Sequence, residues 1–245
     1  MLPKSLNIAI DTNIIFGLIN EEDRLHRASL KLIKHVDNLL LFHTVLFETL
    51  TTFPKKALDV LRECMQYVLY SKELDKEALL KRLIQKKPKY ENFIKYVVKR
   101  ISELWKRYND PYAVFIELGR IFGEFSDGRT IIEIIARRLN DAGVNIESIK
   151  ICGIDRRDPN ELKTCEDVIN ILKDNDISFR DDYDRDIFVE VVVYANRVSE
   201  NFIFVSDDEE FIKKAKRGIG LLDFLNVKNL RLCLLKDIIE LLPRD

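Results

Sequence analysis

Two acidic residues stand alone in stretches of the sequence that are otherwise uncharged. Asp11 is the only charged residue between positions 5 and 20, and Glu48 is the only one between positions 44 and 53, although 33% of the chain is charged. Burying a carboxylate costs several kcal/mol unless it meets a cation, a metal ion or hydrogen-bond donors. A metal ion is therefore one predicted partner. The alternatives are that Asp11 caps a helix and that Glu48 reaches water from an edge position.

Further acidic residues flank a second apolar segment. Asp207 and Asp208 directly follow the apolar run 202–205, and Asp182, Asp184 and Asp186 open the helical pattern before it. If three or four acids converge, a divalent cation must neutralise their repulsion, and oxygen ligands favour Mg²⁺ or Mn²⁺. One or two such ions support phosphodiester hydrolysis by a metal-activated water. The alternative is an acidic first helical turn, which the helix dipole favours.

Apolar runs that alternate with helical patterns at both ends of the chain predict an α/β fold. The opening strand-helix-strand pattern implies a parallel sheet, and ligands of such sheets bind at the carboxyl ends of the strands. The stretch 55–142 is helical in pattern, and Pro54 is predicted to break the helix that starts near Thr44. The predicted strands are 6–10, 39–42, 147–152, 202–205 and 230–234.

The predicted helical middle is basic, although the whole chain has a net charge of -1. Between positions 55 and 107 there are 15 Lys and Arg against 7 Asp and Glu. Such a local excess fits a surface that contacts nucleic-acid phosphates; the alternative is an ordinary solvated helix face. The residues predicted to contact RNA are Lys55, Lys56, Lys81, Arg82, Lys86, Lys87 and Lys89.

Other functional classes find no support in the sequence. It contains no GxGxxG, P-loop or GxSxG motif, which argues against nucleotide cofactors and serine hydrolysis. The four cysteines form no CxxC pair and are predicted to be reduced thiols, with a Cys152–Cys165 bridge as the open alternative. No apolar run reaches transmembrane length and no secretory signal pattern is present, so we expect a cytoplasmic protein without a membrane partner.

Four segments together resemble the PIN-domain ribonucleases. They are IAIDTNIIF (8–16), TVLFETLTTF around Glu48, DRDIFVEVVVYANR (184–197) and IFVSDDEEF (203–211). The resemblance covers about 6–53 and 182–245. It implies a PIN-like parallel sheet flanked by helices, an acidic pocket that binds one or two Mg²⁺ or Mn²⁺ ions, and cleavage of single-stranded RNA.

The resemblance also assigns roles to individual residues. Asp11, Glu48, Asp186 and Asp208 match the four catalytic acids of the family, in that order. Either Asp182 or Asp184 could replace Asp186, and Asp207 could supplement Asp208. Thr12, Asn13 and Ser206 match the polar residues that support the acids in the family. We interpret them as orienting the carboxylates.

The long basic segment between the second and third acids departs from the smaller family members. The predicted domains are a PIN-like α/β domain at 1–53 plus 180–245 and a mostly helical insertion at 54–179, part of which supplies core helices of the family. The insertion is predicted to clamp RNA, or alternatively to dock a protein partner such as an antitoxin or a processing factor. A homodimer is a further prediction from the family, and the choice between a toxin and an RNA-processing role stays open.

Two other functions compete with the ribonuclease. One is a catalytically silent PIN-like module that binds RNA or protein. The other is a phosphohydrolase of the haloacid dehalogenase type, which also opens with a strand and an aspartate. That class needs a DxD motif, and the third position here is Asn13. The metal-dependent ribonuclease is therefore the leading prediction.

Overall fold

A computed structural model describes residues 7–70, 74–87, 91–126 and 128–243. Strands and helices alternate near both ends of the chain, and helices occupy the middle. The elements in chain order are β1 (Asn7–Ile10), α1 (Thr12–Ile19), α2 (His26–Lys34), β2 (Asn38–Phe42), α3 (His43–Tyr70), α4 (Lys76–Lys86), α5 (Glu91–Tyr108), α6 (Pro111–Ser126), α7 (Gly128–Asp141), β3 (Ile149–Cys152), α8 (Pro159–Asp174), α9 (Asp182–Arg197), β4 (Phe202–Ser206), α10 (Glu209–Ile219), β5 (Leu230–Leu234) and α11 (Leu235–Leu241).

The strands in the described ranges form one parallel sheet, in the order β3-β2-β1-β4-β5. The central strand β1 buries Ile8, Ala9 and Ile10 almost completely, and its neighbour β4 is buried along its whole length. Strands of a parallel sheet are covered on both faces, which is why they read as continuous apolar runs. The predicted α/β fold with a parallel sheet flanked by helices is confirmed, and the carboxyl ends of its strands share one edge.

The chain divides into two compact units. The first comprises Met1–Ile15, Arg27–Thr49 and Leu139–Asp245 and contains the sheet described above. The second comprises Phe16–His26 and Leu50–Arg138, and its described elements are helices, with α4 packed on α5 and α5 on α6. The domain boundaries given above from the sequence stay a prediction.

Pro54 does not end a helix, contrary to the prediction from sequence. It lies inside α3, which continues from His43 to Tyr70. An internal proline removes one backbone hydrogen bond and crowds a carbonyl, at a cost of about 3 kcal/mol. Fully buried apolar residues occur on both sides of it, among them Val45 and Val60. Burial of the flanking turns therefore outweighs the local preference of proline to end the helix.

The cysteines are unbridged, and none of the described helices could cross a membrane. Cys64, Cys152, Cys165 and Cys233 are all free thiols, so the alternative of a Cys152–Cys165 bridge is wrong. Within the described ranges, no helix combines the length and the apolar character that crossing a bilayer requires.

Candidate functional site

The candidate site lies where the path of the chain across the sheet reverses. From β1 the chain proceeds to β2 and β3 on one side, then crosses to β4 and β5 on the other. Ligands of open α/β sheets bind outside the carboxyl ends of the strands at such a switch point. Asp11 directly follows β1, and its backbone N–H donates to the Val205 carbonyl of β4 at 3.0 Å. Ser206 is the next residue, so the topology brings Asp11 and Ser206 side by side.

Asp11 is a buried carboxylate held by three donors. The backbone N–H of Thr12 donates to Oδ1 at 2.7 Å, while the Ser206 hydroxyl and the Asn13 amide donate to Oδ2 at 2.5 and 2.9 Å. The pKa of Asp11 is raised to about 6: burial is the largest cause, the hydrogen bonds from Ser206 and Thr12 oppose it, and nearby Glu48 and Asp208 contribute to the rise. The site therefore holds Asp11 in one orientation while disfavouring its negative charge.

Ser206 and Asn13 connect this carboxylate to the start of α10. Ser206 Oγ accepts the backbone N–H of Asp208 at 3.0 Å and the amide of Asn13 at 3.1 Å. The side-chain amide oxygen of Asn13, Oδ1, accepts the backbone N–H of Asp207 at 3.3 Å. Thr12, Asn13 and Ser206, the three residues predicted to orient the acids, therefore all donate a hydrogen bond to the Asp11 carboxylate.

Glu48 reaches the site through Thr12. It lies near the start of α3, which begins directly after β2 and hence at the same edge of the sheet. The Thr12 hydroxyl donates to Glu48 Oε2 at 2.6 Å. Thr12 thereby uses its backbone N–H for one acid and its side chain for another.

Asp184 and Asp208 share one arginine. The Arg180 guanidinium lies 3.5 Å from Asp184 Oδ1 and 3.4 Å from Asp208 Oδ2. Burial raises the pKa of Asp184 to about 7; Arg180 opposes this shift, and Asp181, Asp11 and Asp208 add to it. The other oxygen of Asp208 accepts the backbone N–H of Phe211 at 2.9 Å and so caps α10. Four acids from four parts of the chain therefore come together at the switch point.

Asp186, the third acid by resemblance, is not grouped with these residues. Its carboxylate pairs with Arg185 at 2.8 Å and lines a separate cavity of the same unit. Consecutive helical residues are turned by about 100°, so residues two apart on α9 face different directions. Asp184, one of the two alternatives, faces the cluster instead. The other, Asp182, is largely exposed and pairs with Arg185.

A hard divalent cation fits this donor set by chemistry. The four carboxylates offer only oxygen ligands. Burial, and to a smaller extent the neighbouring acids, raise the pKa of Asp11 and Asp184, and a cation would oppose both effects. In the described ranges no group of three or more acidic, histidine or cysteine side chains is already arranged around a common ion position. The oxygens instead face protein donors, and Arg180 takes the place of a cation between Asp184 and Asp208.

Removing Arg180 is expected to tighten Mn²⁺ binding. The Arg180 side chain is 62% exposed, and its guanidinium competes for two carboxylates. Exposed ion pairs are worth about 0.2–1 kcal/mol each. We expect Arg180→Ala to bind Mn²⁺ about twofold to tenfold more tightly in a calorimetric titration. Arg185→Ala is the matched control, because Arg185 pairs with Asp182 and Asp186 instead. Weaker Mn²⁺ binding by Arg180→Ala would contradict the competition.

Residues predicted to contact RNA lie in the helical unit. Lys55, Lys81 and Arg82 are exposed, whereas Lys86 pairs with Glu63 at 2.7 Å and Lys87 with Asp59 at 3.6 Å. The Lys56 side chain and the whole of Lys89 lie outside the described residues. Ion pairing thus reduces the positive charge at two of the predicted positions, and the RNA-binding role stays a prediction.

Two charged residues near the site escaped the sequence analysis. Glu190 is the only charged residue in the apolar segment 187–195, the same signal that identified Asp11 and Glu48, and it is buried. Arg180 gave no such signal, because it lies in a segment rich in charges. An acid that stands alone in an apolar run can thus be found from the sequence, whereas a bridging cation in a polar loop cannot.

Comparisons with protein-family models, with curated proteins and with solved structures find no match to this chain.

Proposed function

We propose that this chain is a divergent PIN-like, metal-dependent endoribonuclease that hydrolyses phosphodiester bonds of single-stranded RNA. The observation that supports the proposal is the meeting of Asp11, Glu48, Asp184 and Asp208 at the switch point of a parallel sheet. Burial and neighbouring acids both disfavour the negative charge of Asp11 and Asp184, and a cationic ligand would stabilise the charged form.

The residues around the acids would hold them ready for Mg²⁺ or Mn²⁺. Thr12, Asn13 and Ser206 fix Asp11, and the hydroxyl of Thr12 fixes Glu48. Groups that orient metal-binding carboxylates in this way increase metal affinity. When bound, such an ion supplies a water of lowered pKa as the nucleophile and stabilises the leaving oxygen.

Arg180 has a second role in this proposal. It is exposed on a loop and contacts the acids at 3.4–3.5 Å, which makes it a weakly held ion-pair partner. With Asp184 and Asp208 neutralised, the guanidinium would be free to bind a substrate phosphate through two parallel hydrogen bonds. The same side chain would then position the scissile strand.

The proposed activity is tested by cleavage of a labelled single-stranded RNA with Mn²⁺ and with EDTA. We expect cleavage with Mn²⁺, none above the protein-free control with EDTA, and recovery when excess Mn²⁺ is added back. An Asp11→Asn preparation, purified in parallel, controls for contaminating nucleases. Cleavage that persists both in EDTA and in the Asp11→Asn protein would refute the proposal.

A silent PIN-like binding module is the second candidate, and the position of Arg180 favours it. An arginine that permanently neutralises Asp184 and Asp208 would make a cation unnecessary. Titration with Mn²⁺ distinguishes the two functions. The ribonuclease requires Mn²⁺ binding that Asp208→Asn weakens, whereas a silent module shows no such binding.

A further inference from the structure

A cavity of about 530 Å³ opens in the same unit as the acids. It lies at the carboxyl ends of β2 and β3 and at the start of α9, and its lining includes His43, Phe47, Arg156, Leu162 and Tyr183. Binding sites for small molecules usually range from about 300 to 1,000 Å³ and combine apolar walls with a few polar groups. The size and lining of this cavity fit that description.

Two aromatic rings form one wall of this cavity. The centroids of Phe47 and Tyr183 are 6.3 Å apart, and their planes are inclined by 47°. Phe47 is 59% exposed, and Leu162 of the same cavity is 42% exposed. Apolar surface grouped in a cavity in this way is typical of a binding site for an apolar or planar ligand.

Each of these aromatic residues directly precedes an acid of the candidate site. Phe47 precedes Glu48 on α3, and Tyr183 precedes Asp184 on α9. Since neighbouring helical residues are turned by about 100°, each helix presents an acid to the cluster and an aromatic ring to the cavity beside it. With the proposed cation at the acids, a ligand that spans both places would combine a planar ring with an anionic group.

The polar groups of the cavity complement such a ligand. Arg156 is exposed and offers a positive charge, and Asp186 and His43 offer further hydrogen-bonding groups. Glu190 accepts the backbone N–H of Thr44 at 2.9 Å and so fixes the cavity wall. Gly153 packs so closely on His43 that an added Cβ would lie 2.1 Å from the ring Nδ1. The hydrogen bond to Glu190 and the close packing of Gly153 thus fix Thr44 and His43 in the cavity wall.

We propose that this cavity is a nucleobase subsite, in which an unstacked base of single-stranded RNA stacks on Phe47 and Tyr183. The inference rests on the proposed function, since it places the base beside the phosphodiester at the acids. Stacking on aromatic side chains is how proteins hold single strands without reading their sequence, at about 1–3 kcal/mol per base. A paired duplex keeps its bases stacked internally, so the subsite selects single strands.

The test compares two hexanucleotides of equal charge in EDTA, oligo(A) and the same ribose-phosphate chain without bases. We expect the wild-type protein to bind oligo(A) about 5- to 100-fold more tightly than the abasic chain. The Phe47→Leu and Tyr183→Leu variants should each reduce this ratio of affinities. The Phe47→Trp variant, which keeps an aromatic ring, should retain or increase it. Phe224→Leu is the matched control, because Phe224 is 55% exposed but does not line the cavity.

Because binding is measured without metal, the experiment tests the nucleobase subsite independently of the proposed ribonuclease activity. Base-dependent binding that Phe47→Leu removes, in a protein that never cleaves RNA, supports the subsite and refutes the ribonuclease. Metal-dependent cleavage with equal affinity for the oligo(A) and abasic chains refutes the subsite alone. An equal loss of affinity for both chains in Phe47→Leu would also overturn it, as would tight binding of oligo(A) in an RNA duplex.

Discussion

Replacing Asp184 by Asn is expected to lower the rate of metal-dependent RNA cleavage by about 10³-fold. The reason is that Asp184 lies with Asp11 and Asp208 in the acid cluster, so its loss removes one anionic ligand of the proposed cation. Metal ions supply several kcal/mol of charge stabilisation to the transition state of hydrolysis, and 4 kcal/mol corresponds to about 10³ in rate. The variant should also bind Mn²⁺ more weakly in a calorimetric titration.

Asp186→Asn provides a matched control two positions along the same helix. Asp186 pairs with Arg185 and faces the neighbouring cavity, so its replacement should leave Mn²⁺ affinity within about twofold of the wild type. The resemblance to PIN-domain ribonucleases assigns the third acid to Asp186 and predicts the opposite ranking. If Asp186→Asn loses Mn²⁺ binding while Asp184→Asn retains it, the arrangement of acids that we propose is incorrect.

Replacing Glu190 by Ala is expected to reduce the free energy of unfolding by about 3 kcal/mol, because buried donors left without an acceptor cost about 1–3 kcal/mol each. The carboxylate is 3% exposed and accepts hydrogen bonds from the backbone N–H groups of Thr44 and Ile154. For a chain of this size the loss corresponds to a decrease of about 6–12 °C in Tm. Thermal and urea denaturation both measure it.

Glu190→Gln separates the hydrogen bonds from the charge. Burial raises the pKa of Glu190, so its negative charge is itself unfavourable in the folded protein. Glutamine removes that charge and retains one acceptor oxygen. We therefore expect it to lose less than half as much stability as alanine. Equal losses in the two variants would show that the charge, and not the acceptor, is what the fold requires.

The inner strands β1, β2 and β4 could be predicted because each contains an unbroken apolar run next to a polar turn. The edge strands β3 and β5 are apolar except for Lys150 and Arg231. β5 was predicted with the bounds that it has, and β1, β2 and β4 within one residue at each end. The continuation of α3 through Pro54 could not be predicted, since it depends on tertiary burial of the flanking turns. Local rules thus identify elements reliably, and packing decides where a helix ends.

Part of the candidate site was also accessible from sequence. Asp11 and Glu48 were found because a single charge in an apolar segment must have a partner. The choice between Asp184 and Asp186 was not accessible, because it depends on how α9 is rotated about its axis against the sheet. That rotation is set by which residues of α9 are buried, among them Ile187 and Val191.

The central position of β1 also determines when the acid cluster can form during synthesis. Ser206 and Asp11 are 195 positions apart, and β4 pairs with β1 along one side of that strand. The growing chain therefore exposes an unpaired strand edge until the ribosome has released residues 202–206, and such edges invite association with other chains. Asp208 directly follows β4, so a nascent chain that lacks β4 also lacks one of the four acids of the candidate site. The proposed nuclease could therefore not attack the messenger from which it is being translated before β4 pairs with β1.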